Sequence, residues 1–153
     1  MTEAGSPVPA FEMPTDSDGT ISSESLKGQK YIVYFYPKDS TPGCTTEAKD
    51  FTALKSEFDA LGVKIIGVSK DSLKRHENFR KKQELDVILA SDEGTEYCEA
   101  FGVWVEKNMY GKKYMGIERA TFLIDGEGIV RNVWRKVKVK GHADAVLEAA
   151  KAL

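Results

Sequence analysis

Cys44 lies in the run Pro37-Lys38-Asp39-Ser40-Thr41-Pro42-Gly43-Cys44-Thr45, between an apolar strand and an amphipathic helix. The preceding Tyr31-Ile32-Val33-Tyr34-Phe35-Tyr36 is β-branched or aromatic throughout, which predicts a strand buried on both faces. After the cysteine, Phe51, Leu54, Phe58 and Leu61 recur at spacings of three and four, one face of a helix over residues 43–60. Thr41 reads as the N-cap and Pro42 as the first helical residue, where a missing N–H costs nothing. Cys44 then falls in the first turn, where unpaired N–H groups and the positive end of the helix dipole favour a negative neighbour. The amides of Gly43 and Cys44 supply donors at that end. A thiol so placed ionises more readily than a free one, and this is the position of a nucleophile.

The elements that must hold this residue follow from periodicity and punctuation. Residues 1–8 read as a disordered lead, with order beginning at Pro9. The cluster Asp16-Ser17-Asp18-Gly19-Thr20 predicts a small N-terminal hairpin joining 11–13 to 20–22. Gly62 stops the first helix, and Val63–Val68 is a second strand, parallel to the first through a right-handed crossover. Asp71 or Ser72 caps a charged helix to about Glu84, and residues 87–90 form a short strand. A helix opening at Ser91 or Asp92 ends at Gly102. Ala120–Ile124 and Ile129–Trp134 form a hairpin across Asp125–Gly128, and Val146, Leu147, Ala150 and Leu153 mark one side of a final helix. Arg135-Lys136-Val137-Lys138-Val139-Lys140 reads as an edge segment whose lysines discourage aggregation.

A chain of 153 residues, 41% hydrophobic and 30% charged, has the size and composition of a single globular domain able to bury a core. A net charge of −2 gives no case for nucleic acid or a membrane surface, and no apolar run approaches the ~20 residues that span a bilayer. The first five residues are acidic and lack an apolar core, unlike a secretory signal. Two distant cysteines make no disulfide framework, so a reducing, cytoplasmic setting with free thiols is expected.

The segment from Phe35 to Ala48 resembles the active-site segment of peroxiredoxins, and most of all that of the bacterioferritin comigratory protein, or peroxiredoxin Q, subfamily. The similarity extends to Gly111–Asp125 and loosely covers the chain from about Pro9 onward. Pro37, Thr41 and Cys44 match the family motif of a proline, three residues, a threonine or serine, two residues and the peroxide-reacting cysteine. Arg119 matches the family's distant active-site arginine, and Glu47 a position that helps hold it. With the element order above, the expected fold is thioredoxin-like α/β: a central mixed sheet flanked by helices, extended by the N-terminal hairpin.

The resemblance implies a peroxidase that reduces hydrogen peroxide and organic hydroperoxides through a sulfenic acid on Cys44, with no metal or bound organic cofactor. Arg119 would stabilise the leaving oxygen and lie in direct or one-water contact with the sulfur. The Thr41 hydroxyl would orient the peroxide from within hydrogen-bonding reach of the same sulfur. Pro37 would shield the thiolate from water. Thioredoxin, or glutaredoxin or another small thiol, is the implied reductant, and a monomer or weak dimer the implied state.

One departure concerns resolution of the sulfenic acid. Many members of the resembled subfamily carry a second cysteine five residues after the first, and here that residue is Lys49. Others place it on the following helix, and here 72–84 has none. Cys98 reads as a small core residue or else an unusual resolving partner, and a one-cysteine cycle is preferred. A redox sensor that passes Cys44 oxidation to a partner by mixed disulfide is the alternative function. His76 and His142 read as surface residues, no metal-ligand spacing occurs, and without Cys-x-x-Cys a disulfide reductase is disfavoured.

Overall fold

The middle strand of the central sheet is explained by what its side chains meet on each face. A computed structural model describes residues 2–17 and 19–153; Asp18, in the expected hairpin turn, lies outside the described residues. In chain order the elements are β1 (Glu12–Pro14), β2 (Thr20–Ser22), β3 (Lys30–Phe35), α1 (Pro42–Ala53), α2 (Lys55–Ala60), β4 (Val63–Ser69) and α3 (Leu73–Gln83). They continue with β5 (Ile88–Ser91), α4 (Glu96–Ala100), β6 (Trp104–Met109), β7 (Lys112–Ile117), β8 (Ala120–Ile124), β9 (Val130–Trp134) and α5 (His142–Lys151). The main sheet has the order β5-β4-β3-β8-β9, with β3 parallel to β4, β4 parallel to β5, and the β3–β8 and β8–β9 pairs antiparallel.

Alternation along β3 divides the interior in two. Tyr31, Val33 and Phe35 enter a core shared with Phe11, Met13, Cys98, Phe101 and Phe122. Ile32, Tyr34 and Tyr36 enter the opposite core with Cys44, Phe51, Phe58, Phe79 and Val146. Helices α1, α2, α3 and α5 cover the second face, while the β1–β2 hairpin and α4 cover the first. Next to Tyr34 in the parallel register stands Gly67 of β4. A Cβ at Gly67 would lie 2.7 Å from the Tyr34 ring and hydroxyl, so the ring can lie across β4 only because that residue has no side chain.

Several expectations need correction. Residues 2–8 are not a disordered lead: Gly5 and Val8 donate to Val130 and Gly128, Ser6 accepts from Val130, and Pro7 bridges Ile129. The segment covers the beginning of the outer edge of β9, whose unpaired backbone groups need partners. The helix expected over 43–60 breaks at Leu54, whose N–H is shared between the carbonyls of Asp50 and Phe51. The helix after β5 is only five residues long. Asp92 does not start it but accepts from the amides of Tyr97 and Cys98 at its beginning. A hairpin not foreseen from the sequence, β6–β7, turns through Tyr110 and Gly111, both at positive φ. Residues 135–140 form no strand; Val137 donates instead to the carbonyl of Arg119.

Replacing Gly67 by alanine should destabilise the protein by about 1–3 kcal/mol, the usual cost of overpacking a closed core. Urea denaturation gives the value, and a change within error would show that the Tyr34 ring can move away freely.

Candidate active site

Cys44 is the third residue of α1, after Pro42 and Gly43, with Thr41 in extended conformation as the N-cap. Helix geometry leaves the amides of Gly43 and Cys44 without intrahelical acceptors. The cap forms as the sequence predicts, but the Thr41 side chain makes no cap hydrogen bond. Its hydroxyl donates to the carbonyl of Lys38 at 2.8 Å rather than reaching the cysteine sulfur, because Ser40 at φ 66° turns the loop back on itself.

Arg119 reaches the site from the short connection between β7 and β8. Its Nη2 lies 3.3 Å from Cys44 Sγ, and its Nη1 donates to Glu47 Oε1 at 2.6 Å. Glu47 is one helical turn beyond Cys44, so sulfur and carboxylate meet the two ends of one guanidinium. Gly43 permits the approach: a Cβ there would lie 3.2 Å from Arg119 Nη2. Pro37 is half-buried at the mouth of the loop, and Cys44 is 1% exposed. The structure thus brings Cys44, Arg119, Glu47 and Gly43 into one cluster, with Thr41 and Pro37 on the loop beside it.

Glu47 is 1% exposed and its Oε2 has no hydrogen-bond partner. Burial pushes its carboxyl up to about 7 against the attraction of Arg119. The site therefore pairs a fixed cation with a carboxylate that titrates near neutrality, a cation able to stabilise an anionic oxygen at the sulfur.

The two histidines are not surface residues. His76 is fully buried, with Nδ1 2.6 Å from Asp39 Oδ2 and Nε2 2.9 Å from the carbonyl of Ala90. His142 is buried against Phe51 and Trp134, with Nε2 2.7 Å from Thr121 Oγ1. Burial, and then the charge of Arg119, press its imidazole down to about 4, so it is neutral. Neither forms a dyad with the thiol. Both were missed because their partners are distant in sequence. Cys98 belongs to the core on the other side of the sheet from Cys44. Burial, and then Asp92, raise its thiol well above the free value. Among the described residues no three His, Cys, Asp or Glu side chains gather as metal ligands, and no helix is long and apolar enough to cross a membrane.

A cavity of about 250 Å³ opens beside Pro37 and Lys38, with Trp104, Lys107, Tyr114 and Ile117 among its walls. The β6–β7 hairpin thus walls a cavity against the Pro37 end of the active-site loop, a role that sequence reasoning missed. The ribbon is largely exposed, so its burial imposes no alternation that would mark it as a hairpin, although residues 111–117 fall within the segment that carries the family resemblance.

Because its folded-state pKa is raised, Glu47 binds more protons in the native than in the unfolded chain between about pH 4.5 and 7. Its contribution to stability is present at low pH and lost as pH rises through that window. Wild-type protein should therefore lose up to about 3 kcal/mol relative to Glu47→Gln between those limits, by urea denaturation at each pH. Parallel pH profiles would place the Glu47 carboxyl near its ordinary value.

Residues 4–133 match the AhpC/TSA family. The chain is 55% identical to peroxiredoxin Bcp of Xanthomonas campestris pv. campestris, over 99% of this chain and 98% of the relative. It is 47% identical to peroxiredoxin Bcp of Bacillus subtilis, over 97% and 95% of the two chains. A solved structure of the Xanthomonas campestris bacterioferritin comigratory protein, described for alkyl peroxide reduction activity, superposes with a TM-score of 0.90 at 50% identity, covering 99% of this chain and 97% of that one. A mutant of Xylella fastidiosa PrxQ superposes at 0.93 with 36% identity, covering 99% and 97%. The fold is thus the thioredoxin-like arrangement of these structures, and the chain belongs to the AhpC/TSA family, among the peroxiredoxins of the Bcp, or peroxiredoxin Q, type.

Proposed function

We propose that the protein is a thiol-dependent peroxidase reducing hydrogen peroxide and organic hydroperoxides at Cys44. The observation that carries this reading is the 3.3 Å approach of Arg119 Nη2 to Cys44 Sγ at the start of α1. In the first step the thiolate attacks the terminal oxygen of the hydroperoxide. An S–O bond forms, the O–O bond breaks, and its electron pair leaves on the alkoxide, which takes a proton to become the alcohol. Arg119 and the amides of Gly43 and Cys44 face the negative charge as it moves from sulfur to oxygen. Thr41 Oγ1, its own proton committed to Lys38, is left to accept the hydroperoxide O–H. Pro37 keeps water from the sulfur, and Glu47 holds the guanidinium in place.

Reduction of the sulfenic acid falls to an external thiol in this reading. The first thiol forms a mixed disulfide with Cys44 and releases water; the second releases Cys44 and departs as disulfide. Lys49 is exposed at the usual resolving position, α3 has no cysteine, and Cys98 lies across the sheet. Thioredoxin, glutaredoxin or a small thiol would serve, acting in the cytoplasm on a single-domain monomer or weak dimer without metal or organic cofactor.

Steady-state peroxide consumption with a thioredoxin system and with a small thiol tests this. Cys44→Ser should abolish turnover, Cys98→Ser should retain most of it, and Arg119→Ala should slow it by at least about tenfold, as loss of one charge-stabilising group does. Full activity in Cys44→Ser would defeat the assignment. A Cys44–Cys98 disulfide formed at the rate of turnover would overturn the one-cysteine cycle and leave the peroxidase standing.

A further inference from the structure

A buried polar cluster on the same face of the sheet as Cys44 has no part in the steps above. Asp39, in the loop between β3 and α1, is its centre. The carboxylate accepts from the Tyr36 hydroxyl at 2.5 Å through Oδ1 and meets His76 Nδ1 of α3 at 2.6 Å through Oδ2. The Asp39 amide donates to Asp71 Oδ2 at 2.8 Å, and that oxygen also accepts from Ser69 Oγ at 2.7 Å. Arg75 Nε lies 3.0 Å from Asp71 Oδ1, and Ser91 Oγ donates to the Asp71 carbonyl at 2.6 Å. Apart from Arg75, every one of these side chains is buried.

His76 has acceptors on both sides. The Ala90 carbonyl can only accept, so Nε2 carries a proton, and the Asp39 carboxylate takes the proton on Nδ1. Acceptors on both sides favour the imidazolium form of the ring, paired with one carboxylate and near a second that Arg75 balances. Burial works against that charge. The hydrogen bond and charge of Asp39, the Ala90 carbonyl and the charge of Asp71 outweigh it, raising the imidazole above its ordinary value.

We propose that His76 is a positioning residue of the peroxidase: its ion pair with Asp39 latches the Pro37–Thr41 loop onto α3 and β5, holding the closed site that peroxide meets and opposing the opening that a reducing thiol needs. The geometry supplies both halves of the argument. Asp39 lies two residues from Pro37 and two from Thr41, and Thr41 is tied back to Lys38, so tethering Asp39 fixes the loop that leads into α1. Cys44 is 1% exposed and shares its core with Tyr34, Tyr36 and Ala48, so a bulky thiol must displace part of the surrounding wall to reach the sulfur. A latch that favours the closed state thus speeds oxidation and slows reduction.

The inference rests on the peroxidase reading, and the experiment separates the two. In His76→Gln and Asp39→Asn, stopped-flow formation of the Cys44 sulfenic acid should slow by about tenfold or more, as expected when a reacting group is misplaced. Reduction of preformed sulfenic acid by dithiothreitol should instead accelerate severalfold, and amide exchange at residues 38–41 should rise by about tenfold while β3 stays protected. Tyr36→Phe, which removes one partner of Asp39 and keeps the ion pair, should shift both half-reactions in the same senses by less, and it serves if the charge variants do not fold. Nitrogen-15 shifts of the wild type at pH 7 should show both ring nitrogens of His76 protonated. Two half-reactions that slow together, or that stay unchanged, overturn the latch, as does a neutral His76 ring. If the wild type consumes no peroxide, the peroxidase reading fails, and exchange at 38–41 still decides whether the loop is latched.

Discussion

The guanidinium of Arg119 is a cation that folding has largely withdrawn from water, and much of the site is arranged around satisfying it. One end meets the buried carboxylate of Glu47 and the other the sulfur of Cys44. Removing either partner would leave a charge in a poorly solvated place, which costs far more than a surface ion pair is worth. Three otherwise unrelated features serve this contact: Gly43 leaves room for it, α1 aligns Cys44 and Glu47 one turn apart, and Val137 anchors the Arg119 carbonyl. The arginine itself lies on the connection between β7 and β8, so the antiparallel half of the protein presents the charge and the parallel half presents the thiol.

Strand alternation gives the two cysteines different chemistry. Successive residues of β3 point to opposite faces, and the sheet separates the core that holds Cys44 from the core that holds Cys98. One thiol sits at a helix start against an arginine; the other lies among aromatic rings beside a carboxylate, where burial and negative charge suppress ionisation. Reactivity here is assigned by which side of one sheet a residue occupies.

Sequence reading succeeded where a local pattern matched a local cause. The unbroken apolar run of β3, the Thr41-Pro42 helix start, the cap expected at Asp71 or Ser72 and found at Ser72, and the Asp125-Gly126 turn all state their structure within a few residues. It failed where the cause was remote or the pattern absent. The β6–β7 ribbon is largely solvent-exposed, so no burial imposed an alternation to read. His76 and His142 sit in charged or polar surroundings in sequence, and only the packing of α3 and α5 delivers Asp39 and Thr121 to them. The Thr41 hydroxyl was expected at the sulfur, but the left-handed backbone of Ser40 directs it to Lys38.

Residues 5–16 run from one rim of the sheet to the other. Gly5 to Val8 lie along the outer rim of β9, Phe11 and Met13 cross one face within its core, and Thr15 and Asp16 reach β5 at the opposite rim. Asp16 is then fastened by a two-pronged pair with Arg80. One short stretch of chain thereby covers part of each open flank of the sheet, a task many proteins divide between separate devices. Its partners near Ile129 are more than a hundred residues away in sequence, so this belt can buckle only once the sheet exists. A chain with its sheet formed and this belt unfastened would offer both rims to the strands of other molecules, the exposure that leads to strand-to-strand aggregation.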